Sequence, residues 1–185
     1  MEISERGYWI GHDPKEHRFD ERLANGIYNI VKLSLPVVVD IGCGDGSYVK
    51  FFLEHNLTCH GYDGNPETEK ITGGLCKVKD FSKPVFIGVY DAVISLEVGE
   101  HIPAEYEDIF IRNLIDATKS VLILSWAIEG QGGFGHVNCR NNNYIIDKIK
   151  QYSFNHIEFF SSYLRRNTTL SWFHNTILVF MREVK

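Results

Sequence analysis

Hydrophobic residues along this chain recur at two spacings, one typical of helices and one typical of buried strands. A helix is predicted over residues 17–33 because its apolar residues share one helical face: Phe19, Leu23, Ile27, Ile30 and Val31. The near-continuous apolar runs VVVDI at 37–41 and VLILSWA at 121–127 instead indicate strands covered on both sides. The chain is therefore expected to contain both helices and buried strands.

The remaining predicted elements continue this alternation. Further strands are predicted over residues 58–62, 75–79, 91–96, 156–161 and 176–182, the last two joined by a polar loop. Further helices are predicted over residues 46–55, 66–72 and 142–152, and after Pro103, where the apolar stripe is Tyr106, Ile109, Phe110, Leu114 and Ala117. Strands alternating with helices predict an α/β fold, a mostly parallel sheet with helices on both faces.

Length and composition fit a single domain over residues 1–185. Its 185 residues, 44% hydrophobic and 23% charged, suffice for one core and exclude general disorder. No apolar run reaches the roughly 18 residues of a membrane span, and the N-terminus lacks a signal-peptide pattern. The four cysteines contain no CxxC pair. We therefore expect a cytoplasmic protein without a membrane partner.

The net charge of −5 disfavours tight binding to nucleic acid. Such binding depends on lysines and arginines that neutralise phosphates. A small-molecule ligand fits the composition better.

Glycines and an acid follow the first predicted strand, in DIGCGDG. Ligands in parallel α/β sheets bind where strands end. Gly42, Gly44 and Gly46 allow a sharp turn and a close approach of a ligand to the backbone. Asp40, at the end of the strand, would repel a pyrophosphate and would suit a cation, an ammonium group or a water-bridged polar ligand.

Two more acids end the next two predicted strands. Asp63, in YDGNP, stands where doubly wound folds place an acid on ribose hydroxyls. Asp80, in KDF, is suited to accept from an adenine amine beside Phe81, or else to cap the following turn. Together the acids describe a nucleoside with a positive, amino-acid-like tail and no phosphate. S-adenosylmethionine is such a molecule.

Four motifs, in order, resemble those of class I S-adenosylmethionine-dependent methyltransferases: DIGCGDG, GYDGNP, KDF and YDAVISLEVGEHIP. The resemblance covers roughly residues 35–130. It implies a Rossmann-like seven-stranded sheet of order 3-2-1-4-5-7-6 with strand seven antiparallel. It also implies S-adenosyl-L-methionine as cofactor and S-adenosyl-L-homocysteine as product.

The resemblance assigns cofactor contacts by position. The residues at the methionine end are Asp40, Gly42, Cys43 and Gly44. The residues at the ribose and the adenine are Asp63, Gly64, Asp80 and Phe81. Leu96 and Glu97 would lie along the ligand near the sulfonium.

Two histidines are candidate catalytic residues. His101 follows the fourth strand, where a neutral imidazole could take a proton from an acceptor hydroxyl, or could cap the next helix or pack against the sheet. Glu97 and Glu100 are suited to orient it, or are solvated. His136 lies in the glycine-rich stretch GQGGFGHVNC, expected to be a loop near the acceptor.

Two other patterns are weaker indications of function. His136 and Cys139 resemble half of a metal site, but without a second pair nearby no zinc site is predicted, and metal dependence stays open. Tyr144 and Lys148 have the Y-x-x-x-K spacing of short-chain dehydrogenases, but the glycine pattern of those enzymes is absent. An amphipathic helix accounts for that segment.

The acceptor is the least determined part of the prediction. Residues 1–34 are expected to form a helical lid segment, with Tyr8 and Trp9 over the cofactor or on the sheet edge. Aromatic and polar residues in the 162–175 loop suit a carbohydrate face or a homodimer contact. A hydroxyl acceptor usually needs a base, and His101 and His136 are suited to supply one. We therefore expect O-methylation of a small hydroxylated acceptor, such as a sugar or glycan terminus. The alternatives are a methyltransferase acting on nitrogen or protein, and a non-catalytic S-adenosylmethionine-binding partner subunit.

Overall fold

The computed structural model describes residues 2–11, 13, 17–32 and 36–183. Within them, seven strands form one sheet: β1 (Val37–Ile41), β2 (Thr58–Asp63), β3 (Lys77–Val78), β4 (Tyr90–Ser95), β5 (Thr118–Ser125), β6 (Phe154–His156) and β7 (Ile177–Arg182). The order across the sheet is β3-β2-β1-β4-β5-β7-β6, and β7 is antiparallel to both neighbours. The predicted fold class and strand order are confirmed.

Helices cover both faces of this sheet. In chain order they are α1 (Glu21–Val31), α2 (Ser47–Glu54), α3 (Thr68–Ile71), α4 (Glu107–Ala117), α5 (Asn142–Lys150), α6 (Glu158–Asn167) and α7 (Phe173–Thr176). Two short antiparallel strands, Glu2–Ile3 and Trp9–Ile10, form an N-terminal ribbon over residues 2–11. In the part of the chain that is described, no helix has the length and apolar character needed to cross a membrane.

The core has two halves because successive residues of a strand point to opposite faces. Ile123 of β5 and Val179 of β7 pack with α1, α2 and α6. Leu122, Leu124 and Phe180 pack with α4 and α5 on the other face. Both faces of the central strands are buried, which explains their near-continuous apolar sequence.

The prediction for residues 156–175 is wrong. The strand ends at His156, and α6 replaces both the rest of the predicted strand and the start of the predicted loop. Phe160, Tyr163 and Leu164 recur at helical spacing and pack against the core half that contains α1. The local aromatic residues favour a strand, but packing against α1 decides the structure.

The predicted first helix begins later than expected. Asp20 is the N-cap of α1, and its side chain accepts from the Leu23 N–H at 3.0 Å, so Phe19 precedes the helix. Within the predicted segment 1–34, residues 2–11 form the ribbon and not a helix. Other parts of that segment lie outside the described residues: 1, 12, 14–16, 33 and 34.

Asp20 also ties α1 to the segment after α6. Its Oδ2 accepts from the Thr168 hydroxyl at 2.5 Å, the Thr169 N–H at 2.6 Å and the Leu170 N–H at 3.1 Å. Burial acts to raise the pKa of Asp20, but the hydrogen bonds from Thr168, Leu23 and Thr169 outweigh it and lower the pKa. One buried carboxylate thus joins two elements that are distant in sequence.

Replacing this carboxylate should destabilise the fold. We expect Asp20→Ala to lower the free energy of unfolding by about 3 kcal/mol, because a helix cap and several charge-assisted hydrogen bonds are lost together. Urea denaturation at neutral pH measures the change. Asp116→Ala is the control, since Asp116 makes an exposed pair with Arg112 at 3.0 Å and should matter by less than about 0.5 kcal/mol. Equal effects of the two substitutions would contradict the anchoring role.

Candidate functional site

The carboxyl ends of β1, β2 and β4 open into a cleft of about 990 Å³. Asp40 of β1 is level with Gly61 of β2 and Ile94 of β4, so the loops after these strands meet at one edge. This is the position where the strand order reverses and where such sheets bind ligands. Every sequence-predicted site residue lines the cleft: Asp40, Gly42, Cys43, Gly44, Asp63, Gly64, Asp80, Phe81, Leu96, Glu97, His101 and His136.

The glycine turn after β1 is fixed to the end of β2. The Gly42 N–H donates to the Tyr62 carbonyl at 2.7 Å, and the Gly44 N–H donates to Asp63 Oδ2 at 2.9 Å. Gly42 has φ +81°, and a Cβ there would lie 2.3 Å from Val98 Cγ2. Glycine is therefore required at this position both by the backbone conformation and by the neighbouring side chain.

A buried acid, Asp40, and a half-buried acid, Asp63, lie beside this turn. Asp63 accepts from the Gly44 and Asn65 N–H groups, both at 2.9 Å, while burial raises its pKa. Burial also raises the pKa of Asp40 to about 8, with smaller contributions from the charges of Asp63 and Asp45. A cationic ligand next to Asp40 would offset both effects, so the electrostatics of the cleft favour positive charge.

Asp80 caps the turn after β3, which is one of the two roles predicted for it from the sequence. Its Oδ1 accepts from the Ser82 N–H at 3.0 Å and from the Ser82 hydroxyl at 2.5 Å, and Lys83 Nζ lies 3.0 Å from its Oδ2. Burial acts to raise its pKa, but Ser82 and Lys83 outweigh it and lower the pKa. Contact with adenine stays a prediction for Asp80. Phe81 is buried against Tyr62 and supplies an apolar wall.

Glu97 occupies a strained position directly after β4. Its φ is +52°, in the left-handed region that residues other than glycine rarely adopt. Its N–H donates to Ser125 Oγ at 2.8 Å, and its carboxylate accepts from Gln131 Nε2 at 2.8 Å and from Thr176 Oγ1 at 3.2 Å. These bonds fix the Glu97 carboxylate between the loop after β5 and helix α7.

A cluster of Glu100, His101 and His136 lies where the loops after β4 and β5 meet. Glu100 is fully buried, so the solvated alternative is wrong, and burial together with Glu97 raises its pKa. Burial and then His136 lower the pKa of His101 to about 4. His101 is therefore neutral at neutral pH, and its lowered pKa also makes it a weaker base than an exposed histidine.

The loop that carries His136 is anchored to this cluster. The N–H groups of Val137 and Asn138 both donate to the Glu100 carbonyl at 2.9 Å. The Asn138 side chain and Arg140 Nε donate to Glu107 Oε2 at 3.0 and 2.7 Å. Sequence reasoning missed Glu107, although its place on the apolar stripe of α4 is a signal, because a buried acid needs partners.

Glu107 also explains the dehydrogenase-like spacing in α5. The Tyr144 hydroxyl donates to Glu107 Oε1 at 2.5 Å, and Lys148 Nζ lies 3.4 Å from the same oxygen. Lys148 also pairs with Asp108. These side chains join α5 to α4.

The N-terminal ribbon lies beside the cleft. The Trp9 ring contacts His101 and Phe134, with centroid separations of 5.4 and 6.2 Å. Tyr8 packs on Gly64, where an added Cβ would lie 2.6 Å from the Tyr8 Cβ. These contacts place the ribbon beside the cleft, and its role as a lid stays a prediction.

No protein-family model and no curated protein sequence matches this chain. Solved structures do match. Magnesium protoporphyrin IX methyltransferase from Synechocystis PCC 6803, with bound SAH, aligns at a TM-score of 0.67 and 19% identity, over 88% of this chain and 82% of that chain. This chain has the class I methyltransferase fold.

Two further matches show how broadly this methyltransferase fold is used. The N-methyltransferase NodS from Bradyrhizobium japonicum WM9, in complex with SAH, aligns at a TM-score of 0.64 and 13% identity, over 89% of this chain and 87% of that chain. The [4+2]-cyclase SpnF aligns at 0.63 and 15% identity, over 99% of this chain and 88% of that chain. The fold therefore does not decide the reaction, which has to be argued from the side chains in the cleft.

The raised pKa of Asp40 predicts how stability depends on pH. In the folded protein Asp40 keeps its proton up to about pH 8, whereas the unfolded chain releases it near the ordinary value of 3.8. Between these values the folded state binds more protons, so the free energy of unfolding falls as pH rises. We expect Asp40→Asn to remove up to about 4 kcal/mol of this decline between about pH 5 and 8.

Urea denaturation across that pH range measures the decline. Asp116→Asn, at an exposed carboxylate, is the control and should follow the wild-type profile. Parallel profiles for wild type and Asp40→Asn would show that Asp40 titrates normally in the folded protein.

Proposed function

We propose that this protein is an S-adenosylmethionine-dependent methyltransferase that O-methylates a small hydroxylated acceptor, such as a sugar or glycan terminus. The observation that carries the proposal is a pair of acids, the buried Asp40 and the half-buried Asp63, beside a glycine turn at the reversal of strand order. A nucleoside with a cationic tail satisfies both acids, whereas a pyrophosphate would be repelled by them.

The cofactor would lie along the strand ends. Asp40 and the glycine turn would face the methionine end, where the ammonium group restores the charge that burial disfavours on Asp40. Asp63 would accept from the ribose hydroxyls, and Phe81 would pack on adenine. Bound SAH in the magnesium protoporphyrin methyltransferase and in NodS supports this choice of cofactor.

The reaction would be a direct displacement. The acceptor oxygen attacks the methyl carbon, and the carbon–sulfur bond breaks as the carbon–oxygen bond forms, which leaves S-adenosylhomocysteine. The cofactor supplies the reactivity, and the protein supplies position and a destination for the hydroxyl proton. His101, His136 and Glu97 line the cleft and are the candidate groups for that proton.

A hydroxyl acceptor is favoured over an amine by the histidines. An amine can attack without a base, whereas a hydroxyl usually needs one. Aromatic side chains also line the cleft among polar ones and suit the apolar face of a sugar ring: Tyr8, Trp9, Phe19, Tyr48, Phe134 and Trp172. The acidic net charge of −5 favours a small acceptor over a nucleic acid.

Binding of the cofactor is the first test. Calorimetric titration should show micromolar binding of S-adenosylmethionine and S-adenosylhomocysteine. Asp63→Asn should weaken binding at least ~10-fold, because charge-assisted hydrogen bonds to the ribose are lost. Asp116→Asn is the matched control and should bind as wild type does. If the folded wild type binds neither ligand, the proposal fails at its first step.

Transfer of the methyl group is the second test. Radiolabelled cofactor with panels of sugars, nucleosides and peptides should label hydroxyl groups. His101→Gln should lower the transfer rate by roughly 10²- to 10⁴-fold while cofactor binding is retained. His55→Gln, at a histidine that stacks on Phe51 at the end of α2, is the control. Label found only on amines would contradict O-methylation, and activity only with an added partner protein would favour the partner-subunit alternative.

A further inference from the structure

Three side chains of types that bind metals converge at the wall of the cleft. Glu100, His101 and His136 each offer one ligand atom, and these atoms all lie within 4.8 Å of one another. Ligand atoms held about 2.1 Å from one ion stand about 3 to 4.2 Å apart. Small side-chain rotations would therefore bring the three atoms onto a single cation.

Glu100 is buried without a close positive partner among the described residues. It is 0% exposed, and within the part of the chain that is described its carboxyl oxygens make no hydrogen bond of good geometry, only weaker contacts with the Ala127 N–H and with Glu97. In the same part of the chain no lysine or arginine pairs with it, and its nearest basic atom is His136 Nε2 at 3.9 Å. Ionising a buried acid that has only weak donors and no cation nearby is costly, so a bound cation would stabilise the carboxylate form of Glu100.

Both histidines are held in the way that metal-binding histidines usually are. His101 Nδ1 lies 3.2 Å from the Gly135 carbonyl, and His136 Nδ1 lies 3.2 Å from the Gln131 carbonyl. A carbonyl only accepts, so each Nδ1 carries the hydrogen and each Nε2 keeps a lone pair. Backbone carbonyls that orient imidazoles in this manner are a regular feature of metal sites.

Gly133 packs directly against the His136 ring. A Cβ there would lie 2.1, 2.4 and 2.5 Å from His136 Nε2, Cε1 and Cδ2, so alanine at this position would displace the imidazole. The preceding residue, Gly132, has no atom within 4 Å of such a Cβ. The two glycines differ in this respect, so they provide a matched pair of substitutions.

We infer that Glu100, His101 and His136 bind one divalent transition-metal cation, of the class that includes Zn²⁺, Co²⁺, Fe²⁺ and Mn²⁺. Two imidazole nitrogens and one carboxylate suit these ions, whereas Mg²⁺ and Ca²⁺ prefer oxygen ligands alone. Local sequence spacing does not reveal the set, because Glu100 and His101 follow β4 and His136 follows β5.

The role of the ion rests on the proposed methyltransferase function. His101 and His136 line the cleft, so a cation bound to them would also reach an acceptor hydroxyl. Coordination lowers the pKa of that hydroxyl, its proton passes to solvent, and the oxygen attacks the methyl carbon as the carbon–sulfur bond breaks. The histidines would then act as ligands, and the ion would take over the activation assigned above to a base.

Cobalt titration tests the site without the cofactor. Wild-type protein stripped with a chelator should bind one equivalent of Co²⁺, seen by calorimetry and by visible absorption bands of the bound ion. Glu100→Gln and His136→Ala should weaken binding at least ~10-fold. Gly133→Ala should also weaken it, while Gly132→Ala should not. Cys139→Ser should leave binding unchanged, since Cys139 contacts His136 only at Nδ1, at 3.8 Å.

The outcomes separate this site from the proposed function. Folded wild type that binds S-adenosylmethionine but no Co²⁺ overturns the metal site alone. Binding of Co²⁺ without S-adenosylmethionine supports the metal site and removes the cofactor assignment. The ligand set is overturned if Co²⁺ binding survives both Glu100→Gln and His136→Ala. It is also overturned if the wild-type complex shows a thiolate charge-transfer band and Cys139→Ser abolishes binding. Circular dichroism of each variant confirms that it is folded, and the wild-type titration stands independently of the variants.

Discussion

Parallel pairing of β1 with β2 and β4 is the constraint on which the rest of this structure depends. It brings the ends of three strands to one edge, so burial and the nearby charge of Asp63 together raise the pKa of Asp40. The hydrophobic core on both faces of the sheet holds the strands in this register. The strand ends therefore gather acidic side chains in the cleft.

The second half of the cleft depends on backbone contacts between two loops. The Glu100 carbonyl accepts two N–H groups from the loop after β5, and Glu107 holds the same loop through Asn138 and Arg140. These bonds bring His136 to His101. The histidine cluster is thus a product of loop docking, whereas the acid pair is a product of strand pairing.

This difference explains how much of the molecule could be predicted from its sequence. Asp40 and Asp63 each end an apolar strand, so local pattern alone places them at the same edge of a parallel sheet. The partners of His136 depend on contacts across the fold, and no local spacing encodes them. Helix α6 was missed for a different reason. Phe160, Tyr163 and Leu164 do recur at helical spacing, but the aromatic residues favour a strand locally, and packing against α1 decides the structure.

Glu107 shows what such distant contacts mean for assigning function by motif. Tyr144 and Lys148 have a spacing that, in another fold, would be taken for a proton relay. Here both side chains reach across to one buried acid and fasten two helices together. A spacing that a pattern search would count as an active site can therefore serve stability alone. What distinguishes the two roles is whether the side chains contact the cleft or, as here, a neighbouring helix.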